Sequence, residues 1–217
     1  DLHSFPTRRS SDLHIEELVR QGNAVTLFAS GDSRTAARLE PMCERAIRLD
    51  PRLLAGTALH VLMIERVFAR AAEFDVIHLH TDSLALPLAR RYTTPCLLTL
   101  HGRLDMVGLR ELFEEFREMP LASISYAQRQ TIPHANWVAN VQHGVPLDQY
   151  AFVAQPQRYL AFLGRISPEK RVDQAIEIAR RAGLPLKIAA KVDPRDADYF
   201  AREIYMEIGR ASCRERV

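Results

Sequence analysis

The sequence predicts an α/β fold built on parallel strands, and two observations predict it. Short apolar runs rich in branched residues alternate with helical patterns along the chain: VTLF (25–28), VIHLH (76–80), CLLTL (96–100), SISYA (123–127), WVANV (137–141), YLAFLG (159–164) and LKIAA (186–190). Several of these runs are apolar on both faces, as strands covered by helices on either side must be.

The intervening helices carry their own marks. Ile15, Leu18 and Val19 form one stripe that ends at Gly22, and residues 58–72 are apolar over a wide arc, which suits a helix pressed against a sheet. Val172, Ala175, Ile176 and Ala179 follow the i, i+3, i+4, i+7 rule. For this last helix Ser167 is read as the N-cap, Pro168 as the first helical residue and Gly183 as the left-handed stop. Between Val145 and Gln157 two prolines interrupt a stretch with little periodicity, so an interdomain link is placed there.

The two ends are set aside from the fold. One legal back-translation of residues 3–12, read on the opposite DNA strand, encodes IGRASCRERV, which is the sequence of residues 208–217. One DNA element in opposite orientations, similar to a short-read sequencing adapter, accounts for both, and residues 1–13 and 207–217 are expected to be non-native flanks. The expected organisation is then a first domain over 14–150 that lacks its opening strand and the start of a second over 151–206. A chain cut in this way is expected to be inactive and prone to aggregate, because transition-state stabilisation needs groups held in place and an open sheet edge invites pairing.

Composition narrows the function classes. The chain has 29 Lys+Arg against 27 Asp+Glu with the signs interspersed, so no clustered basic surface for nucleic acid is expected. Outside the flanks only Cys43 and Cys96 remain, both in apolar surroundings, which reads as core thiols in a reducing cytoplasm. No apolar stretch approaches the roughly 20 residues a membrane-spanning helix needs. None of the nine glycines is spaced G-x-G, which argues against a dinucleotide-dependent oxidoreductase.

Chemistry concentrates at two strand ends. In LGRISPEKR (163–171) a hydrophobic strand stops at Gly164 and a helix follows, so free N–H groups and the positive helix end face one spot that Arg165 and Lys170 flank. A nucleotide diphosphate would suit it, although spacing alone is equally consistent with two solvated surface cations. In LLTLHGR, His101 follows a buried run at the carboxyl end of a strand, the edge at which open α/β sheets bind ligands. A lone strand-end histidine is otherwise a hydrogen-bonded structural residue. His78 and His80 share one strand face, but spacing fixes no third ligand, and a metal pair is rejected. His80 is expected to line the cleft and His78 to pack. Asp82 and Asp105 follow strand ends and are read first as turn formers and caps.

The stretch YLAFLGRISPEKRVDQAIEIARRAGLPLKIAAKVD, together with ELVRQGNAVTLFASGDS, FDVIHLH, TLHGR, ISYAQR and HGVPLDQY, resembles family 4 glycosyltransferases over nearly the whole region between the flanks. The resemblance implies a GT-B fold: one nearly complete Rossmann-like acceptor domain, then the first β-α-β part of a donor domain. It implies transfer of a sugar from a nucleotide-diphosphate sugar with retention of configuration. The acceptor would be a sugar, lipid or small molecule, with no tightly bound cofactor and no metal, and peripheral membrane association is left open. Arg165 and Lys170 match the G-R-x-x-x-x-K positions that contact the donor diphosphate, with Gly164 beside them. His101 matches the histidine beside the transferred sugar, Gly102 permits close approach, and His80 and Asp105 fall on the acceptor side. His143 and Gly144 mark the domain crossover. Two other readings stay open: a sugar-nucleotide epimerase on the same scaffold, separated by whether an E-x7-E segment follows, and a non-catalytic binding module, which would show no nucleotide-dependent thermal shift.

Overall fold

A computed structural model describes residues 6–47, 57–144, 151–192 and 196–210. The chain divides into two compact units, residues 1–147 and 148–217.

The first unit opens with α1 (Pro6–Arg20), which starts inside the stretch the nucleotide reading sets aside. It ends as the stripe predicts: Gly22 takes φ 89°, and the Gly22 and Asn23 amides donate back to the Val19 and Leu18 carbonyls. β1 (Thr26–Ser30) pairs in parallel with β2 (Arg38–Cys43) as a separate two-stranded sheet. β2 carries no apolar run and includes Pro41, so periodicity could not reveal it.

After α2 (Thr57–Phe68) come β3 (Ile77–Leu79), α3 (Leu86–Ala89), β4 (Cys96–Thr99), α4 (Leu109–Glu115), β5 (Leu121–Ser123), α5 (Tyr126–Arg129) and β6 (Trp137–Asn140). β3, β4, β5 and β6 form one parallel sheet in that order, so all four strands end on the same edge. Its core is Leu79, Leu98, Leu100 and Leu121 from the strands and their ends, with Ile64, Phe68, Leu86 and Phe113 from the covering helices.

The expected strand over 123–127 is displaced. β5 lies over 121–123, and Ser125, in an extended conformation, caps α5 by accepting a hydrogen bond from the Gln128 amide at 3.2 Å. Capping defeats strand propensity here because the serine oxygen satisfies an amide that a strand would have to pair elsewhere.

The second unit is a β-α-β: β7 (Leu160–Ile166), α6 (Val172–Ala182) and β8 (Leu186–Val192), the strands pairing in parallel from Leu160↔Leu186 to Ile166↔Val192. Ile166, Val172, Ile176, Ala179 and Leu186 make its core together with Ile204. Ile204 lies in a closing helical segment, α7 (Ala197–Tyr199), a π turn over Phe200–Ile204 and α8 (Tyr205–Arg210). Glu207, within the expected flank, pairs with Arg180 at 2.5 Å.

Gly183 stops α6 with φ 63° as expected, but the start of α6 corrects the sequence reading. Ser167 makes no side-chain cap, Pro168–Lys170 form a single 3-10 turn, and Arg171 takes a left-handed φ of 55° before the helix begins at Val172. Pro168 has no N–H to offer and a fixed φ that one tight turn accepts, and the left-handed residue then re-aims the chain into α6. Among the described residues no helix is long and apolar enough to cross a membrane.

The burial of β4 gives the first test. Leu98 is fully enclosed, and Trp137, the only tryptophan, packs against the same core. Leu98→Ala should cost this unit about 2–5 kcal/mol in denaturant unfolding followed by Trp137 fluorescence. A loss below about 1 kcal/mol would show that this core is not packed as described.

Candidate functional site

The carboxyl ends of β3, β4 and β6 each deliver an imidazole to one edge of the sheet. His80 follows β3, His101 follows β4 and His143 follows β6. Their rings form a row: His80 and His101 lie 5.1 Å apart between centroids, and His101 and His143 lie 5.2 Å apart and nearly parallel. His78 continues the row 4.3 Å from His80, and His14 of α1 meets His78 edge-on at 5.2 Å.

One hydrogen bond ties the row to a neighbouring strand and another joins two of its rings. His78 Nε2 and Thr99 Oγ1 are 2.7 Å apart, and His80 Nδ1 and His101 Nε2 are also 2.7 Å apart. His101 Nδ1 is buried and meets no hydrogen-bond partner among the described residues. Asp82, at the start of a short 3-10 turn with φ 49°, brings its carboxylate toward His101 and Gly102. A Cβ on Gly102 would lie 3.9 Å from Asp82 Oδ1, so the glycine leaves this approach open.

Three of these imidazoles, His78, His80 and His101, are held toward the neutral form. Loss of hydration pushes His78 down to about 4 and His80 to about 3, with repulsion from neighbouring imidazoles adding to both. His80 keeps a solvent-exposed edge, so crowding by its neighbours rather than full enclosure removes its water. His101 is lowered by burial and by His143, against an opposing pull from Asp82. Among the described residues no three or more His, Cys, Asp or Glu side chains converge as metal ligands.

A cleft of about 390 Å³ opens beside the row, lined by His101, Gly102, Asp105, Ile124, Ser125 and Gln128 among others. Of the residues predicted for this side, His101, Gly102 and Asp105 line it, whereas His80 reaches it only through His101. Asp105 is engaged by Arg103 at 2.6 Å, which also keeps its carboxyl below the usual range.

Gln128 is the residue that the sequence reading missed. Its Nε2 donates to the carbonyls of Leu100 (3.0 Å) and Gly102 (2.9 Å), on either side of His101, while its Oε1 accepts from the Ile124 amide at 3.0 Å. One side chain thus fixes the backbone around His101 to the end of β5. The signal was present in Ser125-x-x-Gln128, a capping-box spacing, although Gln128 reaches across to the next strand end instead of only to its own cap.

The second predicted cluster lies in the other unit. Arg165, near the end of β7, is half-buried and bonded to Glu169 at 2.5 Å, with Asp196 at 3.8 Å. Glu169 is pushed down to about 2, first by its own backbone N–H and also by Arg165, so it is ionised at any working pH. Lys170 is exposed and makes no ion pair among the described residues. Gly164 takes no left-handed backbone, and a Cβ there would make only ordinary contact with Phe162 at 3.6 Å.

Comparison with known proteins yields one family and one fold relative of note. A family model described as Glycosyltransferase Family 4 matches residues 10–145. Solved structures that match include AviGT4, described as a glycosyltransferase involved in avilamycin A biosynthesis, at 24% identity and a TM-score of 0.51. The match covers 86% of this chain and 49% of that one, so the chain spans about half the length of the relative. No curated protein sequence matches.

Two predictions follow from the geometry. Unfolded histidines titrate near 6.5, whereas His78, His80 and His101 fold with lower values. Their contribution is complete above about pH 6.5 and is lost as pH falls toward 4, because the unfolded chain binds protons that the folded one refuses. The facing groups His14, His143 and Asp82 share this environment. The melting temperature should fall by roughly 2–4 °C for each kcal/mol lost between pH 7 and 5. The slope should flatten in a His78→Gln, His80→Asn variant, and a flat wild-type profile would contradict the row. Separately, Gln128→Ala should speed amide exchange at Ile124 about tenfold or more, since a buried bond of this kind is worth about 1–3 kcal/mol. Unchanged exchange there would remove the clamp.

Proposed function

Because this chain belongs to glycosyltransferase family 4, we propose that it is part of an enzyme moving a sugar from a nucleotide-diphosphate donor to an acceptor hydroxyl, with retention at the anomeric carbon. The carrying observation is the end of β7, where a half-buried guanidinium and an exposed ammonium flank a strand-to-helix turn.

In this reading Arg165 and Lys170 bind the donor diphosphate, and Gly164 leaves room for it. The bond between the anomeric carbon and the diphosphate oxygen breaks, its electron pair stays on phosphate, and the acceptor oxygen bonds to the same face of the sugar while its proton passes to the departing diphosphate oxygen. Charge develops on the departing diphosphate, so cations held in place there lower the barrier. Arg165 is already oriented by Glu169 and exchanges one anion for another when phosphate arrives. Within the first unit the same reading makes His101 the sugar-contacting residue, with Gly102 permitting close approach and the adjoining cleft receiving polar ligand groups. His80 and Asp105 act from the acceptor side, His80 through His101 and Asp105 through its loop with Arg103. No resident cofactor or metal takes part, and the setting is cytoplasmic.

Isothermal titration of the chain with inorganic pyrophosphate and with uridine diphosphate tests the first step. Arg165→Gln combined with Lys170→Gln should weaken binding at least about tenfold, the loss expected when a charge-assisted hydrogen bond worth about 1.5–3 kcal/mol is removed. Equal affinity in the variant would overturn the assignment.

A further inference from the structure

The row of imidazoles contains a pair that the proposed chemistry does not by itself require. His80 Nδ1 and His101 Nε2 are 2.7 Å apart, a hydrogen bond that needs one proton between two nitrogens. We infer that His80 is a positioning residue for His101: its Nδ1 accepts the Nε2–H of His101, fixing the orientation of that ring and leaving its Nδ1 without a proton.

The direction of the bond follows from the chemistry of imidazole. A neutral histidine favours the tautomer that carries its proton on Nε2. With His101 as donor, both rings keep that tautomer; with His80 as donor, both must abandon it. The remaining nitrogen of His101 agrees with this assignment. His101 Nδ1 is buried without a partner, and a bare lone pair is tolerated there better than an unpaired N–H donor would be. Burial and the neighbouring rings keep both imidazoles neutral at pH 7, so neither nitrogen is converted to a cationic donor. The groups facing the pair are His78 beside His80 on β3, His14 from α1, His143 after β6 and Asp82. Gln128 holds the backbone on either side of His101, so only the two side-chain torsions remain free to move the ring, and the bond to His80 restrains them.

The inference rests on the reading of His101 as a ligand contact, but its test needs no ligand. In ¹⁵N-labelled protein, ring nitrogen spectra at pH 7 should show both histidines protonated on Nε2, with a coupling between His80 Nδ1 and His101 Nε2 across the hydrogen bond. His80→Phe keeps a ring but removes the acceptor. It should abolish the coupling and let His101 exchange between tautomers. His80→Asn, which offers an oxygen near the place of Nδ1, should restore the single tautomer. Amide exchange at Ile124 reports whether each variant keeps the fold around the site. A proton found on His80 Nδ1, the absence of any coupling in the wild type, or a His101 indifferent to His80→Phe in a folded variant would each overturn the assignment. Pyrophosphate binding, which depends on Arg165 and Lys170, fails or holds independently of these results.

Discussion

The enclosure of β4 governs the first unit. Leu98 and Leu100 are almost wholly buried, so the chain cannot end this strand by drifting into solvent. It must leave the core abruptly, and the backbone carbonyls on either side of His101 still need donors. Gln128 supplies both, and at the same stroke ties β4 to the end of β5. The parallel register then places the ends of β3, β4, β5 and β6 on one edge, which is why residues as distant in sequence as His80, His101 and His143 form one row. Buried apolar residues set the position of the site; one amide side chain sets its precision.

Protonating His78, His80 or His101 where they stand is costly. Each proton added would face a neighbour at 4–5 Å with part of its hydration already removed, and the depressed values of His78 and His80 express that cost. Neutrality has a chemical consequence. Neutral imidazoles both donate and accept, so the hydrogen bond between His80 and His101 couples the tautomers of those two rings, whereas cationic rings could only repel. Asp82 lies on the side that favours charge at His101, so the ring is balanced between an enclosing environment that opposes protonation and a carboxylate that invites it.

Much of the fold was legible because parallel strands leave long apolar runs. Six of the seven runs read from the sequence coincide with strands to within a residue or two, and Gly22 and Gly183 stop their helices as the pattern implies. The misreadings have different causes, and in one of them a polar group won locally over hydropathy. At 123–127 the Ser125 hydroxyl captured the Gln128 amide and turned a strand into a helix start. At 167–171 the serine cap gave way to a 3-10 turn and a left-handed Arg171, which no apolar spacing reports. β2 was invisible because its residues, RLEPMC, carry no run at all. Of the site, His101 could be read from its place after a buried strand, but its pairing with His80 is a contact between strands, set by register rather than by any local spacing.

In the second unit, the bond between Arg165 and Glu169 changes what the strand-to-helix turn offers. A guanidinium left alone at this position would keep its side-chain freedom and its water, and a ligand would have to restrain and dehydrate it on arrival. Glu169 has already done most of that, at an i,i+4 spacing that the tight turn of Pro168–Lys170 brings within 2.5 Å. An incoming anion therefore meets a fixed donor but must outbid a carboxylate that is ionised at every working pH. A singly charged ligand gains little from such an exchange. A diphosphate that engaged Arg165 and the exposed Lys170 together would gain a second cation that Glu169 does not hold. The same contact that prepares the site thus favours ligands carrying more than one negative charge, which is the property that a nucleotide-diphosphate donor would need it to have.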